Sequence, residues 1–249
     1  MNTPKKHHYV PVCYLSKFLN PKTGMLSVYD IKKKEWREHK PSKIMFLKHH
    51  NRQEWAPEGS DLNTYEKLLS DLESQGKIAI EKLIYNPKTL SGDEMAMILT
   101  YLDMQRIRVP RQAKMAKEMI TNFIHSIAYK HSGIANALKS KSIKIVIDDK
   151  KARFKYLRAT QGVHVPYFSR MKWSMFNAPD SFSFVTTDSP VSFFNPKFPP
   201  PSEPGISLVG TIVLFPLSSK HLLLLQHPEL QQDPSIPPTK NRLFRKICG

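Results

Sequence analysis

Two capping boxes commit the first half of this chain to helix. Asn63-Thr64-Tyr65-Glu66 and Ser91-Gly92-Asp93-Glu94 each place a short polar residue three positions ahead of a glutamate. In that pattern two side chains satisfy the first free amides of a helix reciprocally. Behind the first box, Tyr65, Leu68, Leu69, Leu72, Ala79 and Leu83 recur at helical spacing, and Asn86-Pro87 ends the run. Behind the second, Met95, Ile98, Leu99 and Leu102 form a stripe that runs to about Val109, because the residue before Pro110 is pushed out of helical geometry. Pro110 suits the first turn of a third helix. Its expected buried stripe is Ala113, Ala116, Ile120, Phe123, Ile124 and Ile127, with an end near Gly133.

The pattern then changes. Residues 142–147 alternate as a strand does, 150–160 suit a short helix, and 172–176, 182–187, 210–215 and 222–226 read as strands. Upstream, 24–38 reads as a hairpin, with Met25, Leu26, Val28 and Tyr29 going out, Lys32-Lys33-Lys34 at the turn and Trp36 returning. The order hairpin, helices, strands predicts an α+β fold, a helical layer packed on a mainly antiparallel sheet. It is expected as one domain over 1–249, with the hairpin and helices in 1–138 and the strand-rich part in 139–249.

Charge bounds the partner. The net charge is +17, and it is concentrated. Residues 1–60 carry 12 Lys/Arg against 5 Asp/Glu, and 139–173 carry 10 against 2, while 61–138 are nearly balanced at 10 against 9. A localised positive field attracts polyanions, because phosphate binding releases counterions; a merely basic surface with no partner is the plainer reading. The longest apolar runs, 211–217 and 222–225, are too short to cross a bilayer, and no apolar stretch follows the basic N-terminus as a signal peptide would require. Cys13 and Cys248 make neither a disulfide framework nor a zinc spacing. A soluble, cytoplasmic protein without membrane partners is expected.

Three groups of polar residues can carry chemistry. His7-His8-Tyr9-Val10-Pro11, followed by Tyr14-Leu15, puts two imidazoles in an aromatic and proline frame. Imidazoles titrate near neutrality and serve proton transfer or metal binding, yet adjacent residues point different ways, so one of the pair faces a given site. Continuing the Met95–Leu102 spacing puts Gln105 and Arg106 on the inward face. Arg106, with Arg108 and Arg111, is either a phosphate fork or a structural arginine paired with a core acid between two solvated ones. Asp188, in Thr186-Thr187-Asp188-Ser189-Pro190, closes a strand-like run where a carboxylate can face a cleft or cap a local turn. His49-His50 read as surface, His164 and His221 have no evident partner, and Glu66 is accounted for by its capping box. Tyr29, Trp36, Phe154, Tyr156, Tyr167 and Trp173 interleave with basic residues as base-stacking rings do, though a core role is preferred for most of them. Glycine-rich phosphate loops, GxSxG and HExxH are absent.

His-His-Tyr-Val-Pro-x-x-Tyr-Leu at 7–15, the Gln105, Arg106, Arg108, Pro110 and Arg111 block, and Thr187-Asp188-Ser189-Pro190 followed by Phe215-Pro216-Leu217-Ser218 together resemble the HHYVP family, domain of unknown function 4238, found mostly in bacteria. The resemblance runs from residue 7 to about 225, with Thr-Asp-Ser-Pro where the family commonly has Ser-Asp-Asn-Pro. It implies no activity, only that the blocks belong together. The expected function is a nucleic-acid-processing enzyme such as a nuclease, acting on DNA or RNA in a basic cleft. His7 or His8 is its base or metal ligand, Asp188 orients that histidine or binds a divalent metal, Arg106, Arg108 and Arg111 hold phosphate, and Gln105 positions substrate. The cofactor is left open, a divalent metal being one option. A non-catalytic nucleic-acid-binding module and an enzyme acting on a small phosphorylated molecule are the alternatives.

Overall fold

The computed structural model describes residues 5–198, 203–227 and 229. In chain order the elements are β1 (Lys6–His8), α1 (Val12–Leu15), β2 (Leu26–Asp30), β3 (Glu35–His39), β4 (Phe46–Lys48), α2 (Thr64–Tyr85), α3 (Gly92–Ile107) and α4 (Pro110–Ala128). They continue with α5 (Ser132–Lys139), α6 (Asp149–Thr160), α7 (Val165–Arg170), β5 (Lys172–Asn177), β6 (Ser192–Phe194), β7 (Ile212–Pro216) and β8 (His221–Gln226). The fold is α+β and every strand pairing is antiparallel. The chain divides into two compact units, residues 1–106 with 162–249, and residues 107–161.

In the first unit the sheet order is β5-β8-β7-β6, with separate two-stranded pairs β1-β4 and β2-β3. Strand alternation puts Val213 and Phe215 of β7 opposite Leu225 and Leu223 of β8, and all four are buried. They share one core with Ala79, Ile80 and Leu83 of α2, with Ile98, Leu99, Tyr101 and Leu102 of α3, and with Tyr14 and Leu15 of α1. Helices therefore cover one side of the sheet, and Tyr101 meets Phe215 at 6.3 Å between ring centres.

The helix starts differ from each other. The second capping box forms: Ser91 N–H donates to Glu94 Oε2 at 2.7 Å and Glu94 N–H donates to Ser91 Oγ at 3.2 Å. Lys82 also reaches Glu94, and chiefly for that reason the Glu94 carboxyl sits below its ordinary range. The first box does not form. Asn63 makes no side-chain cap, and Asp61 organises the turn by accepting from Asn63 N–H and, through its carbonyl, from the Thr64 hydroxyl. Glu66 is left for another role.

Gly76 lies inside α2 because Tyr101 leaves no room there: an added Cβ would come within 2.3 Å of the ring. Alanine would gain about 1 kcal/mol of helix propensity over glycine. Overpacking against a buried ring costs roughly 1–3 kcal/mol and outweighs that gain. Gly76→Ala is expected to lower the melting temperature, and a raised one would show that Tyr101 moves aside freely.

The second unit contains α4, α5 and α6. Asp148 caps α6 by accepting from Lys151 N–H at 2.9 Å, and Tyr156 donates to Gln112 Oε1 at 3.2 Å. Lys117 pairs with Asp149. α4 ends at Ala128, not near Gly133, which lies inside α5. Its expected buried stripe is split: Ala116 is buried, whereas Phe123, Ile124 and Ile127 are exposed. Residues 142–147 and 182–187 are not strands. Alternation alone does not make a ladder; the first run has no partner strand among the described residues, and the second is held by a backbone bond from Phe184 N–H to Ser219 O.

Candidate functional site

β1 is three residues long, and its alternation sends the two histidines to opposite sides. His7 is fully buried. Its Nδ1 accepts from Asn51 N–H at 2.8 Å, which leaves the ring proton on Nε2. Glu66 Oε2 stands 3.5 Å from the same nitrogen. That lone pair is already engaged by Asn51, so the carboxylate is joined to the histidine through Asn51, whose Nδ2 donates to Glu66 Oε2. His49 packs edge-on against His7 at 6.4 Å, and both His49 and His50 are half-buried, a correction to their reading as surface. The turn that brings them in places His49 at φ 52°.

His8 points the other way, into a groove of about 270 Å³. Val12 and Cys13 of α1 form one wall. Glu66, Ser70, Glu73, Ser74 and Lys77 of α2 form the other. Their spacing of three and four puts them on one helix face. The groove thus gathers an imidazole, a thiol, two carboxylates and an ammonium.

Tyr9 links three of the sequence blocks. Its carbonyl accepts from Gln105 Nε2 at 3.0 Å and its N–H donates to Met45 O. Its phenol is pushed above its ordinary pKa by burial and then by the Asp188 carboxylate nearby. Asp188 is exposed, and the turn amide next to it, Ser189 N–H, is capped by Thr187 Oγ1. Gln105 is buried, and its Oε1 has no hydrogen-bond partner among the described residues. Tyr14 makes the fourth junction. Its hydroxyl donates to Pro216 O at 2.7 Å, lies 2.8 Å from Thr186 Oγ1, and its ring stacks on Phe215 at 5.3 Å. Burial holds that phenol well above its ordinary pKa. Tyr14→Phe takes the hydroxyl donor from the part-buried Pro216 carbonyl and is expected to cost about 1 kcal/mol in urea unfolding; an unchanged midpoint would mean that Pro216 finds another donor.

His7, Arg106 and Asp188 of the sequence blocks each have partners that the structure describes. Gln105 and Arg106 are buried, but so is every residue from Tyr101 to Val109, so their burial does not follow from the helical phase. Arg106 is 5% exposed, ion-paired with Glu203, and lies 4.3 Å above the Phe193 ring. In the other unit Arg108 is buried and Arg111 is exposed, so the two residues flanking Arg106 are not both solvated. His7 is held by Asn51 and His49, Arg106 by Glu203 and Phe193, and Asp188 stands beside Tyr9.

Several polar residues escaped the sequence. Asp103 is buried on α3 and accepts from Gly162 N–H at 2.6 Å and His164 N–H at 3.2 Å, with His164 Nδ1 at 2.8 Å. Its signal was an acid inside an apolar helical run. Glu66, Glu73 and Lys77 were signalled by a polar stripe beside the apolar one on α2. Among the described residues no group of three or more His, Cys, Asp or Glu side chains is placed to hold a metal ion. No described helix is long and apolar enough to cross a membrane.

No curated protein and no solved structure matches the chain. A family defined only as a protein of unknown function, DUF4238, matches residues 6–246, and that span takes in all the blocks that meet at Tyr9 and Tyr14. The chain belongs to the DUF4238 family.

Proposed function

We propose that this protein binds a nucleic-acid backbone through residues 107–161. One observation carries the reading. This compact unit holds thirteen Lys/Arg against three Asp/Glu, ten of the chain's seventeen net positive charges in fewer than a quarter of its residues. Arg111, Lys144, Lys151, Lys155 and Arg158 are exposed there. Charge concentrated on a small helical unit makes a field that steers and holds polyphosphate, whereas a solubilising surface would spread it. A cytoplasmic protein with access to RNA or DNA fits this reading. The test is direct titration of labelled single-stranded and duplex oligonucleotides with the intact protein. Affinity is expected to fall steeply between about 50 and 200 mM salt. No binding at the low end would remove the proposal.

A phosphodiester-cleaving enzyme is the second reading, favoured by the His8 groove. His8 supplies an imidazole at a cavity, and Glu66 supplies a carboxylate fixed from behind by Asn51. In this reading His7 serves as the packing partner and Asp188 acts through Tyr9. Arg106, already neutralised by Glu203, holds the fold more than it holds phosphate. His8→Ala is expected to abolish strand cleavage while leaving binding intact. Full cleavage by that variant would end the catalytic reading.

A further inference from the structure

The β2-β3 hairpin carries an aromatic pair on its outer face. Period-two alternation turns Leu26 and Val28 toward the core and Tyr29 toward solvent. Trp36 lies directly across from Tyr29, their rings 5.3 Å apart and tilted by 49°. Tyr29 is 45% exposed and Trp36 is 70% exposed, so the core role expected for such rings does not hold for these two. A cross-strand aromatic pair is worth about 0.2–1 kcal/mol to the hairpin, and rings this exposed also offer a flat face to a ligand.

The charge around the rings leans positive, with four Lys/Arg against three Asp/Glu in residues 29–38, and the lysines gather at the tip. Lys32, Lys33 and Lys34 occupy the tip and form no ion pair among the described residues. The nearby acids are engaged. Asp30 accepts from the amides of Lys32 and Lys33, and Glu35 pairs with Arg37. Glu38 stands further along the outer face, opposite Ser27.

We infer that this hairpin is a single-strand nucleic-acid platform, on which a base stacks against Trp36 and Tyr29 while Lys32–Lys34 take the adjoining phosphates. The inference rests on the nucleic-acid reading above and names its substrate class as an unpaired strand. Stacking is available to any base with an open face, and a duplex hides those faces. An interfacial membrane anchor would lead with its apolar groups. Here the lysines lead, with Ile31 the lone apolar side chain beside them, and the rings stand behind.

The experiment compares intact wild-type protein with Trp36→Ala, Trp36→Phe and a K32Q/K33Q/K34N variant, each shown by circular dichroism to be folded. The probes are a labelled single strand, its duplex, an abasic strand, and phosphatidylserine vesicles. Trp36→Ala is expected to weaken single-strand binding roughly ten- to a hundredfold with an unchanged salt slope. Trp36→Phe should stay near wild type, and duplex binding should not respond. The abasic strand should bind wild type as weakly as the intact strand binds Trp36→Ala. The lysine variant should instead flatten the salt slope. Single-strand binding indifferent to Trp36→Ala would overturn the platform and leave the proposed function standing. Absence of binding to every oligonucleotide would overturn both. Capture by the vesicles, lost in Trp36→Ala while oligonucleotide binding is unaffected, would assign the hairpin to membranes and overturn the platform.

Discussion

Arg106→Ala is expected to cost a large part of the stability of the fold. Arg106 is 5% exposed, and its guanidinium is shared between the Glu203 carboxylate and the face of Phe193. Removing one partner of a buried ion pair costs about 3–5 kcal/mol, because the other charge is left desolvated and unpaired. A single domain has only about 5–15 kcal/mol in hand, so the variant should melt clearly below wild type. Part of that loss belongs to the Glu203 carboxylate, which gives up this ion pair. Adding Glu203→Gln to Arg106→Ala should therefore recover part of it, and a double-mutant cycle by urea unfolding reads the coupling. A melting temperature unmoved by Arg106→Ala would show that the pair is not formed in solution.

The second large effect concerns binding. Replacing Arg111, Lys144, Lys151, Lys155 and Arg158 with glutamine is expected to flatten the salt dependence of oligonucleotide binding. For every phosphate that is no longer neutralised, the slope should fall by about 0.9 on duplex DNA or 0.7 on a single strand. The five are chosen for exposure. Arg153 lies in the same basic stretch but is buried, with its guanidinium 5.2 Å from the Phe154 ring, so its replacement would mix folding with binding. A variant with the wild-type slope would move the binding surface out of 107–161.

What the sequence made legible follows the range of the forces involved. The start and course of α3 were readable from the Met95–Leu102 spacing, but its second half is buried all round from Tyr101 to Val109, so Gln105 and Arg106 are buried whatever the phase. The Ser91–Glu94 box was readable because its partners are three residues apart. The Asn63–Glu66 box has the same pattern and fails, since Glu66 is taken by Asn51, a pairing that no local rule encodes. Glu203 as the partner of Arg106 is likewise a long-range fact. β1 and β4 are three residues each, too short to show a period, yet their pairing decides that His7 is buried and His8 faces the groove. The family blocks did point to common ground: Gln105 meets Tyr9, and Tyr14 meets Thr186 and Pro216. Those junctions are packing and hydrogen bonding, while the groove chemistry lies on α2, where the apolar stripe drew attention from the polar one.

The central claim is that nucleic acid is held by the basic helical unit, and ultraviolet cross-linking of a single-stranded oligonucleotide to the intact protein tests it most directly. Mass spectrometry then locates the adducts along the chain. The account predicts adducts concentrated within residues 107–161, with a second set on the hairpin at Tyr29 and Trp36, both diminishing as salt is raised. Adducts confined to other segments, or none at all from folded protein at low salt, would contradict it.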